Sequence, residues 1–327
     1  MKKLVLLVFL LLLTVGIVAG CGDEQKPADE NNNTSENTKE QNGQTEESAF
    51  PVTIKDALDK EITLEEKPEK IVSLIPSNTE IAFALGLDEE IVGVSDFDTY
   101  PEEATKKEKI GGQEFNVEKI ISLKPDLVLA HGSSAHNSTE GLQMLRDSGI
   151  TVLVVNNAET FDQVYDSIEL VGKATGTQEK ADQIVKGMKD KIKSIKSKAS
   201  EIKEQKTVFI EVSPAPEIYT PGKNTFMHEM LQIINAKNAA SDLDGWQKID
   251  EEAVVKKNPD VIITTYGYYT ENAAEKVLKR DGWQDVTAVK KEQVYDVHSE
   301  LVTRAGPRLA EGVEELAKAV YPEVFGD

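Results

Sequence analysis

Gln178 to Thr207 reads QEKADQIVKGMKDKIKSIKSKASEIKEQKT, and the spacing of its apolar residues decides the fold. Ala181, Ile184, Val185, Met188, Ile192, Ile195, Ala199 and Ile202 trace a single stripe at helical period. The other positions are mostly Lys, Asp, Glu, Gln and Ser, without proline and with Gly187 as the one weak point. At 1.5 Å per residue such a helix runs on the order of 40 Å, long for a globular helix. A coiled-coil seam is the other reading, but the stretch holds fewer than five heptads and nothing repeats them. After Lys206 and Thr207 comes the buried-strand pattern Val208-Phe209-Ile210-Glu211-Val212. The segment is expected to be a rigid strut joining two lobes.

The flanking sequence supports two lobes. Val117-Glu118-Lys119-Ile120-Ile121-Ser122-Leu123-Lys124-Pro125-Asp126-Leu127-Val128-Leu129 precedes the helix, and Glu251-Glu252-Ala253-Val254-Val255-Lys256-Lys257-Asn258-Pro259-Asp260-Val261-Ile262-Ile263 follows it. Superposing Pro125 on Pro259 also superposes Asp126 on Asp260 and Glu118 on Glu252. Each copy reads as a short helix, a proline turn and an all-apolar strand, which suits a parallel sheet covered on both faces. An internal repeat of this kind predicts two similar α/β lobes, Rossmann-like with central parallel sheets, joined by the long helix.

The ends of the chain carry different information. Lys2 and Lys3, the apolar run Leu4 to Val18 and the residues Val18-Ala19-Gly20 have the layout of a secretory signal. The apolar run is shorter than a membrane span needs. Val18-Ala19-Gly20-Cys21 resembles the lipobox of bacterial lipoproteins, which implies cleavage before Cys21 and a lipid on its sulfur. Cys21 is the single cysteine in 327 residues, so no intramolecular disulfide can form. Gly22 to Phe50 is rich in Glu, Asn, Asp, Thr, Gln and Ser and is expected to be a disordered tether. It carries −6, Lys2 and Lys3 carry +2, and with −21 overall the body from Pro51 onward carries −17. An acidic body argues against nucleic acid as partner and for solubility. The expected organisation is a signal peptide over 1–20, the lipidated N-terminus and tether over 21–50, an N-terminal lobe over 51–177, the connecting helix over 178–206 and a C-terminal lobe over 207–327.

Along the body, strand and helix patterns alternate. Val52 to Ala57 and Glu61 to Leu64 look like a hairpin, and Lys70 to Ile75 is a buried strand. Ser77 and Glu80 are spaced as a capping box, and Pro307 stands where the first turn of the closing helix is expected. In open α/β sheets ligands sit beyond the carboxyl ends of the strands. The loops expected there hold Phe97, Tyr100, His131, Tyr219, Trp246, Tyr266 and Arg304. Aromatics make up 6% of the chain, so this concentration points to a flat or bulky ligand.

From Pro51 to the C-terminus the chain resembles the type III substrate-binding proteins of ABC importers, which carry cobalamin, haem and ferric siderophores. The resemblance rests on Ile71-Val72-Ser73-Leu74-Ile75-Pro76-Ser77-Asn78-Thr79-Glu80, Val92-Gly93-Val94-Ser95, Leu123-Lys124-Pro125-Asp126-Leu127-Val128 and Arg304-Ala305-Gly306-Pro307-Arg308. Within that group it is similar to the cobalamin binders. The resemblance implies that Phe97, Tyr219 and Trp246 grip the ligand, with Glu300 and Arg304 close to it. Gly112 and His131 depart from the pattern, which has tryptophans there, and His131 is a candidate metal ligand. The resemblance further implies that Glu118 and Glu252 dock onto arginines of the permease, although an acid near a helix N-terminus also suits the helix dipole. The implied protein is a monomeric, non-enzymatic, extracytoplasmic lipoprotein. It passes cobalamin or a related corrinoid, alternatively a ferric siderophore or haem, to a permease and its ATPase. No resident cofactor is expected.

Two rival classes lack residues. A hydrolase would need a nucleophile constellation, and there is no Gly-x-Ser-x-Gly elbow. His228-Glu229-Met230-Leu231-Gln232 begins like a zinc-protease helix but lacks the second histidine, and His136 and His298 sit in polar loops. An adhesive lipoprotein would be expected to repeat small β modules rather than α/β lobes.

Overall fold

The all-apolar runs that follow the two repeated helices form interior strands of two parallel sheets. In the computed structural model of the protein, which describes residues 50–326, the first lobe opens with an antiparallel hairpin, β1 (Val52–Lys55) and β2 (Glu61–Leu64). It continues through β3 (Ile71–Ser73), α1 (Pro76–Ala84), β4 (Ile91–Val94), a 3₁₀ segment (Glu102–Lys106), β5 (Glu108–Lys109), α2 (Val117–Leu123) and β6 (Leu127–His131). It ends with α3 (Gly132–Ala135), α4 (Thr139–Asp147), β7 (Thr151–Val155) and α5 (Phe161–Thr175). The sheet order is β5-β4-β3-β6-β7, with every neighbouring pair parallel. β6 is buried at every position, as a strand covered on both faces must be.

After α6 (Gln178–Ala199) come β8 (Thr207–Glu211), β9 (Tyr219–Pro221), α7 (Phe226–Ile233), β10 (Lys237–Asn238), β11 (Trp246–Lys248) and α8 (Glu251–Lys257). The chain closes with β12 (Val261–Thr264), α9 (Ala273–Leu278), α10 (Thr287–Lys290), β13 (Val294–Asp296), α11 (Ser299–Thr303), α12 (Leu309–Val320) and α13 (Pro322–Phe325). β10-β8-β12-β13 form the second all-parallel sheet, while β9 and β11 pair as an antiparallel ribbon. The expected signal peptide, Cys21 and all of the tether but Phe50 lie outside the described residues. Among those residues no helix is long and apolar enough to cross a membrane.

The internal repeat extends to individual hydrogen bonds. Asn116 caps α2 by accepting from the Lys119 N–H, and Asp250 caps α8 by accepting from the Ala253 N–H. Both helices end on a left-handed residue, Lys124 at φ 52° and Asn258 at φ 44°. Beyond each proline an aspartate carboxylate holds the neighbouring strand's entry. Asp126 accepts from the Glu69 and Lys70 N–H groups, and Asp260 accepts from the Thr207 N–H. These bonds set β6 beside β3 and β12 beside β8.

The long helix joins the two lobes as expected but is shorter than expected. It ends at Ala199, not Lys206, because the second lobe captures the chain beyond it. Asn235 Nδ2 donates to the Ala199 and Ile202 carbonyls at 3.4 Å each, and the Lys206 N–H donates to the Tyr321 hydroxyl at 2.9 Å. The strut is packed along its length. Ala181, Val185, Met188, Ile192, Ile195 and Ala199 are buried against helices of both lobes, and one continuous apolar core runs through them. Each of the larger side chains contributes on the order of 2 kcal/mol by such burial, so α6 is a shared spine that resists hinge motion.

Other local expectations also change. Pro76 starts α1 at its first position, and no side chain caps that helix, so Ser77 and Glu80 form no capping box. Pro307 precedes α12 by two residues rather than opening it, and a short helix, Ser299–Thr303, stands between His298 and Arg304. Trp246 to Lys248 is strand.

Candidate ligand-binding site

Because both sheets are parallel throughout, each has a single carboxyl edge where its loops gather. The two edges face one another, since side chains from the loops of one lobe bond to the other. Glu80, on α1, is 3% exposed. Arg304 Nη1 donates to its Oε1 at 2.9 Å, and Arg308 donates to both its oxygens, from Nε at 2.9 Å and from Nη2 at 2.6 Å. Glu300 completes the group, 2.9 Å from Arg304 Nη2 and 3.3 Å from Arg308 Nη2. Thr99, from the loop after β4, donates to Glu300 and accepts from Arg304 at 2.8 Å. The Arg308 guanidinium lies over the Tyr100 ring, 3.5 Å from its centroid.

This lattice brings together three expected site residues, Tyr100, Glu300 and Arg304, and adds three that were not expected, Glu80, Thr99 and Arg308. Its two carboxylates and two guanidinium groups cancel. Burial works to raise the Glu300 carboxyl, but the Thr99 hydrogen bond and the two arginines outweigh it and hold Glu300 below the usual carboxylate range. Such a buried network is strong while complete and costly once one member is removed.

The expected aromatic residues flank it. Phe97 is 54% exposed, and its ring covers Gly112 so closely that a Cβ there would stand 3.0 Å from the ring. The position expected to lack a ring is therefore overlaid by one from the neighbouring loop. The Phe97 loop is held rigidly: Ser95 Oγ donates to Asp98 at 2.6 Å, and Lys109 Nζ donates to the Ser95 and Asp98 carbonyls at 3.0 Å each. In the second lobe, pairing of Tyr219 with Lys248 and of Pro221 with Trp246 puts both exposed rings on one face of the β9–β11 ribbon. Trp246 rests edge-on against Phe226, with centroids 5.9 Å apart.

Tyr266 behaves differently. Its ring is buried, and its hydroxyl donates to Glu211 at 2.5 Å. Glu211 is fully buried and receives two bonds from Arg280, at 2.8 and 2.7 Å. Burial, with Glu211 beside it, pushes the Tyr266 hydroxyl pKa up. The exposed rings of this loop are Tyr268 and Tyr269, the former 74% exposed, packed edge to face at 4.7 Å, with Tyr269 against Tyr266 at 6.1 Å. The Tyr266-Gly267-Tyr268-Tyr269 run after an all-apolar strand marks the loop in the sequence, but not which ring turns inward. Asp296 sets that turn. It accepts from Thr264 Oγ1 at 2.6 Å and from the Gly267 N–H at 3.1 Å, and its carboxylate occupies the space a Cβ at residue 267 would need.

His131 does not take its expected place. It is 7% exposed and serves as the cap of α3, its Nδ1 accepting from the Ser133 N–H and lying 2.8 Å from the Ser133 hydroxyl. Burial drives its pKa down to about 4, against a hydrogen bond with the Asn156 backbone, so the ring is neutral and structurally engaged. Glu118 and Glu252 are both exposed, at the second position of α2 and of α8. Each helix runs back antiparallel to its strands, so the two carboxylates lie toward the carboxyl edges, one per lobe.

The family profile described as periplasmic binding protein matches residues 71–301. The chain is 54% identical over 317 residues to a Bacillus subtilis (strain 168) protein described as an uncharacterized ABC transporter substrate-binding lipoprotein, YvrC, with 96% of each chain covered. It is 30% identical over 282 residues to a cobalamin-binding protein of Halobacterium salinarum, covering 84% of this chain and 75% of that one. Among solved structures, one from Staphylococcus epidermidis, described as a possible iron-binding (periplasmic solute-binding) protein, superposes with a TM-score of 0.70 at 37% identity. That match covers 78% of this chain and all of the other.

Proposed function

The chain belongs to the periplasmic binding protein family, and on that premise we propose that it captures cobalamin or a related corrinoid between its lobes and delivers it to a permease. It is a substrate-binding component of an ABC importer of the cobalamin, siderophore and haem group, and not an enzyme. The observation that carries the corrinoid reading is the ring set at the facing carboxyl edges. Phe97 and Tyr100 stand on one lobe and Tyr219 and Trp246 on the other, all partly exposed. Rings from two sides suit a flat macrocycle, which they can grip by stacking. The 30% identical cobalamin-binding relative supports the same reading.

The second reading, a ferric siderophore or haem, is favoured by the likeness to the Staphylococcus epidermidis protein. Either ligand would use the same edges. In this reading the mature protein is a monomer anchored outside the membrane through a lipid on Cys21, with residues 21–50 as spacer between lipid and lobes. Glu118 and Glu252, one per lobe, would fix its register on the permease, whose ATPase drives import. Calorimetric titration of the purified protein with cyanocobalamin, haem and a ferric siderophore panel tests the ligand. Submicromolar cobalamin binding supports the corrinoid reading, and silence with cobalamin beside binding of a siderophore or haem replaces it with the second.

A further inference from the structure

The cations at the facing edges are already neutralised from within. Arg304 and Arg308 are matched in charge by Glu80 and Glu300 and held further by Thr99 and the Tyr100 ring. Arg280 is spent on the buried Glu211. Lys109 is held by the Ser95 and Asp98 carbonyls, and Lys248, on the ribbon, by Glu217 at 2.5 Å. Lys223, beyond the ribbon, lies in the field of Asp242, whose carboxyl is held low by Lys257 first and by Lys223 as a lesser contribution. The loops around them meanwhile expose Asp96 and Glu114.

We propose that Glu80 and Glu300 are built-in counter-anions that set the ligand class by charge, admitting uncharged or cationic complexes and rejecting polyanions. An anionic ligand gains affinity only from a cation it can pair with. Here it could reach the guanidinium groups only by displacing Glu300, the more exposed of the two carboxylates. That would leave ligand and carboxylate repelling one another over the same two arginines. An uncharged macrocycle leaves the lattice whole and uses it as a hydrogen-bonded floor between the rings. The inference rests on the reading that the facing edges hold the ligand, but not on the ligand being a corrinoid.

Four probes separate the two claims: cyanocobalamin, uncharged overall; a cationic ferric trihydroxamate; haem, with two carboxylates; and a ferric tris-catecholate of charge −3. The full-length protein should bind haem and the tris-catecholate at least a hundredfold more weakly than its best uncharged or cationic probe. Binding the trihydroxamate but not cyanocobalamin ends the corrinoid reading and leaves the charge rule standing. Comparable or tighter binding of either anion overturns the charge rule, whatever cyanocobalamin does. Glu300→Gln leaves one uncompensated arginine and should gain at least tenfold in affinity for the two anions without an equal gain for the uncharged probe. No such gain also overturns the rule, even where the wild type binds none of the four. If Glu300→Gln does not fold, salt decides: raising it from 0.05 to 0.5 M should strengthen the weak haem binding of the wild type by screening repulsion. A fall in affinity would contradict the proposal.

Discussion

Arg308 lies over Tyr100, its guanidinium carbon 3.5 Å from the ring centroid, and this contact joins the start of the last long helix to the loop after β4. The same guanidinium is held by Glu80 from α1, so one side chain clamps two separate segments of the first lobe from the second. Together with α6, whose buried stripe belongs to a core shared by both lobes, the clamp leaves little room for the lobes to rotate about each other. Ligand capture in such a frame depends on what the facing edges already present.

Glu80 should matter for stability. Its side chain is almost fully buried and receives bonds from two arginines. Glu80→Ala strands both guanidinium groups, and removing one partner of a buried pair typically costs about 3–5 kcal/mol. Urea unfolding of the variant should show a loss of this size with little change in slope. A loss under about 1 kcal/mol, the range of exposed pairs, would mean that the lattice is solvated in solution.

Trp246 and Tyr269 should both contribute to ligand affinity. Truncating a stacking ring at a binding surface costs about 1–3 kcal/mol, so Trp246→Ala is expected to weaken corrinoid binding by roughly tenfold to a hundredfold. Tyr269→Ala should cost less, because its ring is smaller than the indole and carries less area to stack on a ligand. Titration calorimetry on the two variants and the wild type orders them directly.

Glu118→Ala combined with Glu252→Ala should abolish uptake while leaving ligand affinity unchanged. Both residues are exposed on the first turns of repeated helices. Glu252 pairs with Lys256 at 4.0 Å, with both side chains largely in solvent. Neither carboxylate holds the fold together, so normal transport by the double variant would leave them without a docking role.

His131 should make the protein acid-sensitive. Its pKa is lowered by burial from the ordinary value of 6.5 to about 4, so between those values the unfolded chain binds a proton that the folded chain does not. The native state therefore keeps its full stability above about pH 6.5 and loses it progressively as pH falls toward 4, by on the order of 3 kcal/mol from this residue. His131→Asn keeps a capping side chain and removes the titration. Subtracting its unfolding free energies from those of the wild type across pH 4–7 should isolate the slope. Parallel curves would show that the imidazole is solvated.

Much of this molecule could be read in the chain itself. The stripe on Gln178–Ala199, the apolar strands and the repeated Pro-Asp turns each report burial within one element, and burial on one face writes a period into a short window. Even the carboxylates of Asp126 and Asp260 keep equivalent jobs, because each serves a turn beside its own strand. The end of α6 was less legible, since Asn235 and Tyr321, far along the chain, decide where it stops.

By itself the sequence determined two α/β lobes, the shared helix, the loops at the carboxyl edges and the exposed glutamates of the repeat. Only the tertiary structure decided that Glu80 answers Arg304 and Arg308, that Tyr266 turns inward while Tyr268 and Tyr269 face out, that Phe97 covers Gly112 and that His131 is a buried cap. The first set follows from local periodicity, which each segment carries alone. The second depends on how closely separate segments approach, and Glu80 and Arg308 stand 228 residues apart. No pattern in either segment records the partner that neutralises it.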